Sequence, residues 1–188
     1  MVIPQPLKGH KMKKDSDDIN FPATNEAIWE FLEEIKDPEV PVLSIVDLGI
    51  VREVKFLNPP LGDGGIEVVI TPTYTGCPAM DMIAATIKIE LATLGFKKIK
   101  ITQVLTPAWT TDWMTEEGKR KLKEYGIAPP NPKQQGCDQK LFAEAEAVQC
   151  PHCNSYHTHR ISEFGSTACK ALYKCYDCKE PFDYFKCH

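Results

Sequence analysis

Two short matching segments near the C-terminal end constrain this chain more than its hydropathy does. Cys150-Pro151-His152-Cys153 and Cys175-Tyr176-Asp177-Cys178 each place two cysteines two residues apart, with 21 residues between the pairs. A Cys-x-x-Cys turn points both sulfurs toward one centre, and two such turns supply four thiolates, a complete tetrahedral metal shell. The gap is slightly wider than the usual ribbon spacing of about 15–20 residues, which a hairpin loop absorbs. Leu172 and Tyr173 precede the second turn, and Phe182, Tyr184 and Phe185 follow it. The expected form over residues 148–188 is a ribbon hairpin with structural Zn2+ held by Cys150, Cys153, Cys175 and Cys178 at one end. Tetrahedral S4 sites also suit a single iron, so a rubredoxin-like electron carrier is an alternative. Disulfides or free buried thiols would be others. The chain has eight cysteines but no apolar export core at its start, which favours reduced thiols and a cytoplasmic protein.

Ahead of the ribbon the pattern is α+β. Residues 1–22 mix lysines with aspartates and carry few apolar positions, the composition of a disordered leader. From Thr24, a preferred N-cap, the residues Ile28, Phe31, Leu32 and Ile35 form one helical stripe that Asp37-Pro38 should stop. Residues 50–57 and 66–73 read as strands joined by a turn-rich stretch. A long helix follows Cys77-Pro78, with Met80, Ile83, Ala84, Ile87, Leu91 and Leu94 on its apolar face. Ile99 and Ile101 mark a third strand, and Thr115 to Tyr125 a short helix ending at Gly126. The expected architecture is a small α-β-β-α-β sandwich over residues 23–127, a linker over 128–147, and the ribbon. No run of about 18 apolar residues exists, so no membrane span is expected. A net charge of -4, with five basic against four acidic residues in 148–188, gives no footprint for nucleic acid.

Cys77 is the second informative position. Gly76 allows a sharp turn, and Pro78 suits the start of a helix. A sulfur at a helix N-terminus lies beside unpaired N–H groups and partial positive charge, which favour thiolate. Such a thiolate can act as nucleophile, redox group or metal ligand; a buried structural cysteine is the plainer reading. A single thiolate cannot hold an iron–sulfur cluster. Further ligands must come from a second protomer, a client protein, a small thiol, or nearby Glu39 and Asp47.

Several longer segments then carry a resemblance. Asp37-Pro38-Glu39, Val46-Asp47-Leu48-Gly49 and Thr71-Pro72-Thr73-Tyr74-Thr75-Gly76-Cys77-Pro78 resemble the iron–sulfur assembly domain of SufT-like proteins and eukaryotic cytosolic cluster-targeting factors. Residues 107–113, 126–130, 164–170 and 180–187 are similar to the PaaD (also called PaaJ) family, one of the component families of bacterial 1,2-phenylacetyl-CoA epoxidases. The resemblance runs from about residue 25 to 188. It implies a non-catalytic accessory role in aerobic phenylacetate degradation, assisting the iron–sulfur cluster of the oxygenase reductase. It also implies transient iron or cluster binding at Cys77, with Asp37, Glu39 and Asp47 as the acidic motif residues. Implied partners are the reductase and other oxygenase components, or a second copy of this chain.

The sequence agrees with the absence of oxygenase chemistry, since it has no Glu-x-x-His pairs for a di-iron site and no dinucleotide or P-loop fingerprint. A docking component without cluster transfer is the competing class. Cys169 and Cys187 lie in family-like segments and are candidate extra ligands, including as replacements within the ribbon quartet. The histidines from His152 to His188 are expected at the surface or beside the metal site.

Overall fold

The computed structural model describes residues 24–57, 65–130 and 148–186. The leader, most of the turn-rich stretch after the first strand, most of the expected linker, Cys137, Cys187 and His188 fall outside them.

Helix α1, Asn25–Leu32, begins as the sequence requires: Thr24 Oγ1 accepts from Ala27 N at 3.3 Å, and Ile28 and Leu32 are fully buried. It stops earlier than Asp37-Pro38. The backbone beyond it turns to serve the next segment, with Ile45 N donating to the Ile35 carbonyl and Asp37 N to the Leu43 carbonyl. Those bonds replace helical ones, and Ile35 still reaches the core.

Strand β1, Val51–Leu57, pairs antiparallel with β2, Gly65–Ile70. Strand β3, Lys98–Gln103, lies parallel to β2 on its other side, reached through helix α2, Ala79–Thr93. Parallel neighbours need such a crossover. Central β2 is therefore hydrogen-bonded along both edges, and every residue of it but Glu67 is buried. Ala79, Met80, Ile83, Ile87 and Leu91 of α2 close one side of the core.

A short 3-10 turn, Thr111–Trp113, leads to α3, Glu116–Glu124, capped by Thr115 Oγ1 on Gly118 N at 2.9 Å. Gly49 has φ +67°, and a Cβ there would stand 2.4 Å from the Trp113 carbonyl oxygen. Only glycine fits that crossing of two backbones.

The ribbon is more than a hairpin. Strands β5 (Thr158–Ser162), β6 (Lys170–Cys175) and β7 (Pro181–Phe185) form an antiparallel sheet. A two-residue strand β4, Ile127–Ala128, adds to it in parallel with β7. The order is β4-β7-β6-β5. The strand that follows α3 is thus part of the ribbon's own sheet. Phe185 and Cys169 belong to the same apolar core as Ile28, Leu32 and Ile83. Trp109 makes the second tie: its Nε1 donates to the Leu48 carbonyl at 2.8 Å and its ring meets the Phe185 ring edge-on at 6.2 Å. Among the described residues, no helix is long and apolar enough to cross a membrane.

Candidate metal centre and thiol cleft

The four knuckle cysteines converge. Their sulfurs all lie within 4.8 Å of one another, with Cys150 and Cys178 at 3.7 Å and Cys153 and Cys175 at 3.6 Å. Four sulfurs placed about 2.3 Å from a central ion stand roughly 3.8 Å apart, so the arrangement is that of a tetrahedral shell. Disulfide sulfurs would be bonded at about 2.05 Å, and these are free.

Each turn also brings backbone donors to its first sulfur. The N–H groups of His152 and Cys153 reach Cys150, and those of Asp177 and Cys178 reach Cys175. Burial raises Cys175, but the donors of its own turn together with Cys153 outweigh it and bring the thiol down to about 7, whereas at Cys150 burial prevails over the same kind of donors and the thiol stays raised. Such donors stabilise thiolates, the form that binds metal. Around the quartet, Asp177 pairs with His157 Nδ1 at 3.2 Å and accepts from Ser155, while Tyr176 lies against the rings of His157 and His159. His157 and His159 therefore lie beside the quartet, and no histidine among the described residues belongs to it.

Cys169 is not in the quartet either. It immediately precedes β6, and Cys175 ends that strand, which separates the two by about 20 Å of extended chain. Cys169 instead faces the front domain, at a small cleft lined by Asp37, Glu39, Thr73, Cys77, Cys169 and Phe185 among others. The turn over 165–170 and the last strand hold it there: Lys170 N donates to the Thr167 carbonyl, and Lys186 N to that of Cys169, at 3.0 Å. Its thiol meets Glu39 Oε2 at 3.6 Å and Thr167 Oγ1 at 2.9 Å.

Cys77 reaches the cleft from the start of α2, just after Gly76 at φ +84°. The turn expected at Gly76 is present, whereas nothing comes within 4 Å of where its Cβ would be, so no close backbone approach requires the glycine. The helix-terminus argument for a Cys77 thiolate is outweighed. Burial pushes this thiol up and nearby Glu39 and Asp37 push the same way, against the Ala79 N–H and the Tyr74 hydroxyl bonded to it. Cys169 rises to about 11, chiefly through burial. Both sulfurs are therefore thiols at neutral pH until something displaces their protons.

The three acidic motif residues divide. Asp37 is buried, and its Oδ1 accepts from Glu39 N at 2.9 Å and Val40 N at 2.7 Å, holding the turn that presents Glu39 to the cleft. Burial nevertheless raises its carboxyl. Asp47 is engaged away from the cleft. Its Oδ2 accepts from Ser44 N at 3.0 Å and Lys121 Nζ at 2.7 Å, and its Oδ1 from Thr115 Oγ1 at 3.1 Å. Ser44 Oγ in turn accepts from Asp47 N at 2.8 Å, a reciprocal cap. Asp47 thus fastens α3 to the 44–49 turn. Sequence reasoning missed Tyr74 and Thr167 as the hydroxyls bonded to the Cys77 and Cys169 sulfurs, although both lie inside the segments named above.

The fold and sites define an iron–sulfur assembly-type α+β domain joined to a four-cysteine metal ribbon. Residues 25–102 match the family described as iron–sulfur cluster assembly protein, and residues 134–186 the PaaD zinc beta ribbon domain. The chain is 51% identical over 160 residues to a protein of Escherichia coli (strain K12) provisionally named as the D-type component of 1,2-phenylacetyl-CoA epoxidase, covering 85% of this chain and 91% of that one. It belongs to that family of epoxidase components. It is also 35% identical over 104 residues to an Fe-S protein maturation auxiliary factor of Porphyromonas gingivalis (strain ATCC BAA-308 / W83), over 54% of this chain and 93% of that protein. A solved domain of unknown function, DUF59, from Bacillus anthracis is 28% identical, with a TM-score of 0.44, over 50% of this chain and 87% of that domain.

Proposed function

We propose that this protein is a non-catalytic accessory component of the phenylacetyl-CoA epoxidase system, assisting assembly or maintenance of the iron–sulfur cluster in the reductase. The observation that carries this reading is Cys77, half-buried at an open cleft beside Glu39 and Asp37. A sulfur with acidic neighbours and no preformed four-ligand cage suits temporary holding of iron better than a resident redox centre. The ribbon quartet has the opposite character, closed and supported by N–H donors, and fits structural Zn2+. Residues 23–127 then act as the cargo domain and 148–188 as the ribbon, in the cytoplasm where the reductase is made. The relative from Porphyromonas gingivalis, named as a maturation factor, supports the same reading for the front domain.

The docking reading draws on the ribbon surface, where Tyr156, Ile161 and Phe164 are exposed. One experiment separates the two. The reductase is produced with the wild-type protein or with Cys77→Ser, and flavin and cluster are quantified independently by absorbance and by iron and sulfide content. Cluster transfer predicts a reductase with flavin but little cluster from the variant. Full cluster content with Cys77→Ser would refute it and favour docking.

A further inference from the structure

We infer that Cys169 is a second metal-binding thiol of the Cys77 cleft, so that the ribbon completes a site taking one thiophilic divalent cation of the ferrous class. This rests on the reading that Cys77 holds iron in transit, and adds who shares it and in what form.

The two sulfurs come from different units of the chain and line the same cleft. Cys169 is only 3% exposed, yet its thiol is not simply packed in hydrocarbon: it donates to Glu39 Oε2, a carboxylate of the motif that precedes Cys77 in sequence and lines the same cleft. Two sulfurs and a carboxylate around one space are a soft-to-borderline donor set, suited to Fe2+, Co2+ or Zn2+ and poor for Mg2+ or Ca2+. The space is about 10 Å3. That is room for roughly one water, hence for an ion and not for a cluster within it.

The site is built to hold weakly. Among the described residues, only the ribbon quartet already has three or more donors within 4.8 Å of one another. The cleft donors must draw together on the ion, and Cys77 and Glu39, both half-exposed, are the ones with room to turn. Loading exchanges protons for metal: M2+ and two thiols give a dithiolate complex and two H+, with no change of oxidation state. The Cys169 proton, which already points at Glu39 Oε2, passes over that oxygen to solvent as the carboxylate takes up the ion. The second leaves from Cys77 through the open side. Lys170 Nζ, 3.5 Å from the Glu39 carbonyl oxygen, adds positive charge beside the Cys169 thiolate.

The test uses full-length protein with zinc retained in the ribbon, titrated anaerobically with Co2+. Wild type should bind one further equivalent with a thiolate-to-cobalt charge-transfer band. Cys77→Ser and Cys169→Ser should each weaken that binding at least tenfold and reduce the band. X-ray absorption at the cobalt edge of the wild-type protein, which needs no variant to fold, should count two sulfurs per cobalt. One sulfur per cobalt, or Cys169→Ser binding as wild type while Cys77→Ser fails, would overturn the inference and leave the function proposed for Cys77 standing. No uptake beyond the ribbon ion would overturn it as well. Failure of the proposed function is read separately, as full reductase cluster content with Cys77→Ser.

Discussion

Replacing Asp47 tests whether this motif carboxylate serves the cleft or the fold. Its side chain is 1% exposed and accepts from Ser44 N, Thr115 Oγ1 and Lys121 Nζ. Asp47→Ala strands the buried Ser44 N–H, worth about 1–3 kcal/mol, and removes hydrogen bonds to a charged acceptor, about 1.5–3 kcal/mol each. Breaking a fully buried ion pair costs about 3–5 kcal/mol, but Lys121 is 24% exposed and can regain water, so its share is discounted. The expected loss is about 3 kcal/mol. With a urea slope of about 2 kcal/mol per molar, the unfolding midpoint falls by about 1.5 M.

Lys121→Ala should cost less, and the double variant less than the sum of the two, because they share one interaction. The sign with pH is fixed by direction. Burial raises the Asp47 carboxyl, but Lys121 and Ser44 together prevail and lower it. Its contribution is therefore complete above the unfolded carboxylate value near 3.9 and is lost as pH falls through the lower folded value. The gap between wild type and Asp47→Ala should be flat from pH 5 to 8 and narrow in stronger acid. A loss under about 1 kcal/mol, or lost cobalt binding at the cleft with stability intact, would refute the structural assignment.

Cys150→Ser or Cys178→Ser should abolish the ribbon zinc, seen as loss of one metal by mass spectrometry, and unfold the ribbon, since structural zinc contributes on the order of 10–16 kcal/mol in apparent binding energy. Chelation should act likewise, and hydrogen exchange should then rise at Ile127 and Trp109 as well, because β7 touches both. Gly49→Ala should destabilise by several kcal/mol in thermal unfolding, since the new Cβ would collide with the Trp113 carbonyl at a positive φ. Cobalt affinity at the cleft should rise with pH, by up to about a hundredfold per unit, because both thiols titrate above neutrality and two protons leave. The charged or titratable neighbours of that pair are Asp37, Glu39, Tyr74 and Lys170, and a flat profile from pH 6 to 8 would contradict two-thiol loading.

Local rules carried far in this sequence, and failed where partners come from afar. Thr24 and Thr115 cap their helices, Pro78 precedes the start of α2, and the knuckle spacing alone identified the quartet. The end of α1 was misplaced because Ile35 and Asp37 give their backbone bonds to Leu43 and Ile45, a choice the helical period cannot display. The ionisation of Cys77 reversed for a similar reason. Position before a helix is visible in sequence, but burial and the approach of Glu39 are not. Cys169 and Glu39 meet across 130 positions, and Asp47 and Lys121 across 74, so neither pairing leaves a local mark. Residue type flagged Cys169, Glu39 and Asp47; only packing sorted which of them line the cleft.

The pairing of β4 with β7 also has a consequence for timing. A wall of the cleft is Phe185, and the strand carrying it docks beside one made some sixty residues earlier. On a nascent chain the cleft is finished only once β6 and β7 have been made and have left the ribosome. An ion offered before those strands emerge would meet Cys77 without Cys169, and one offered later would meet both sulfurs.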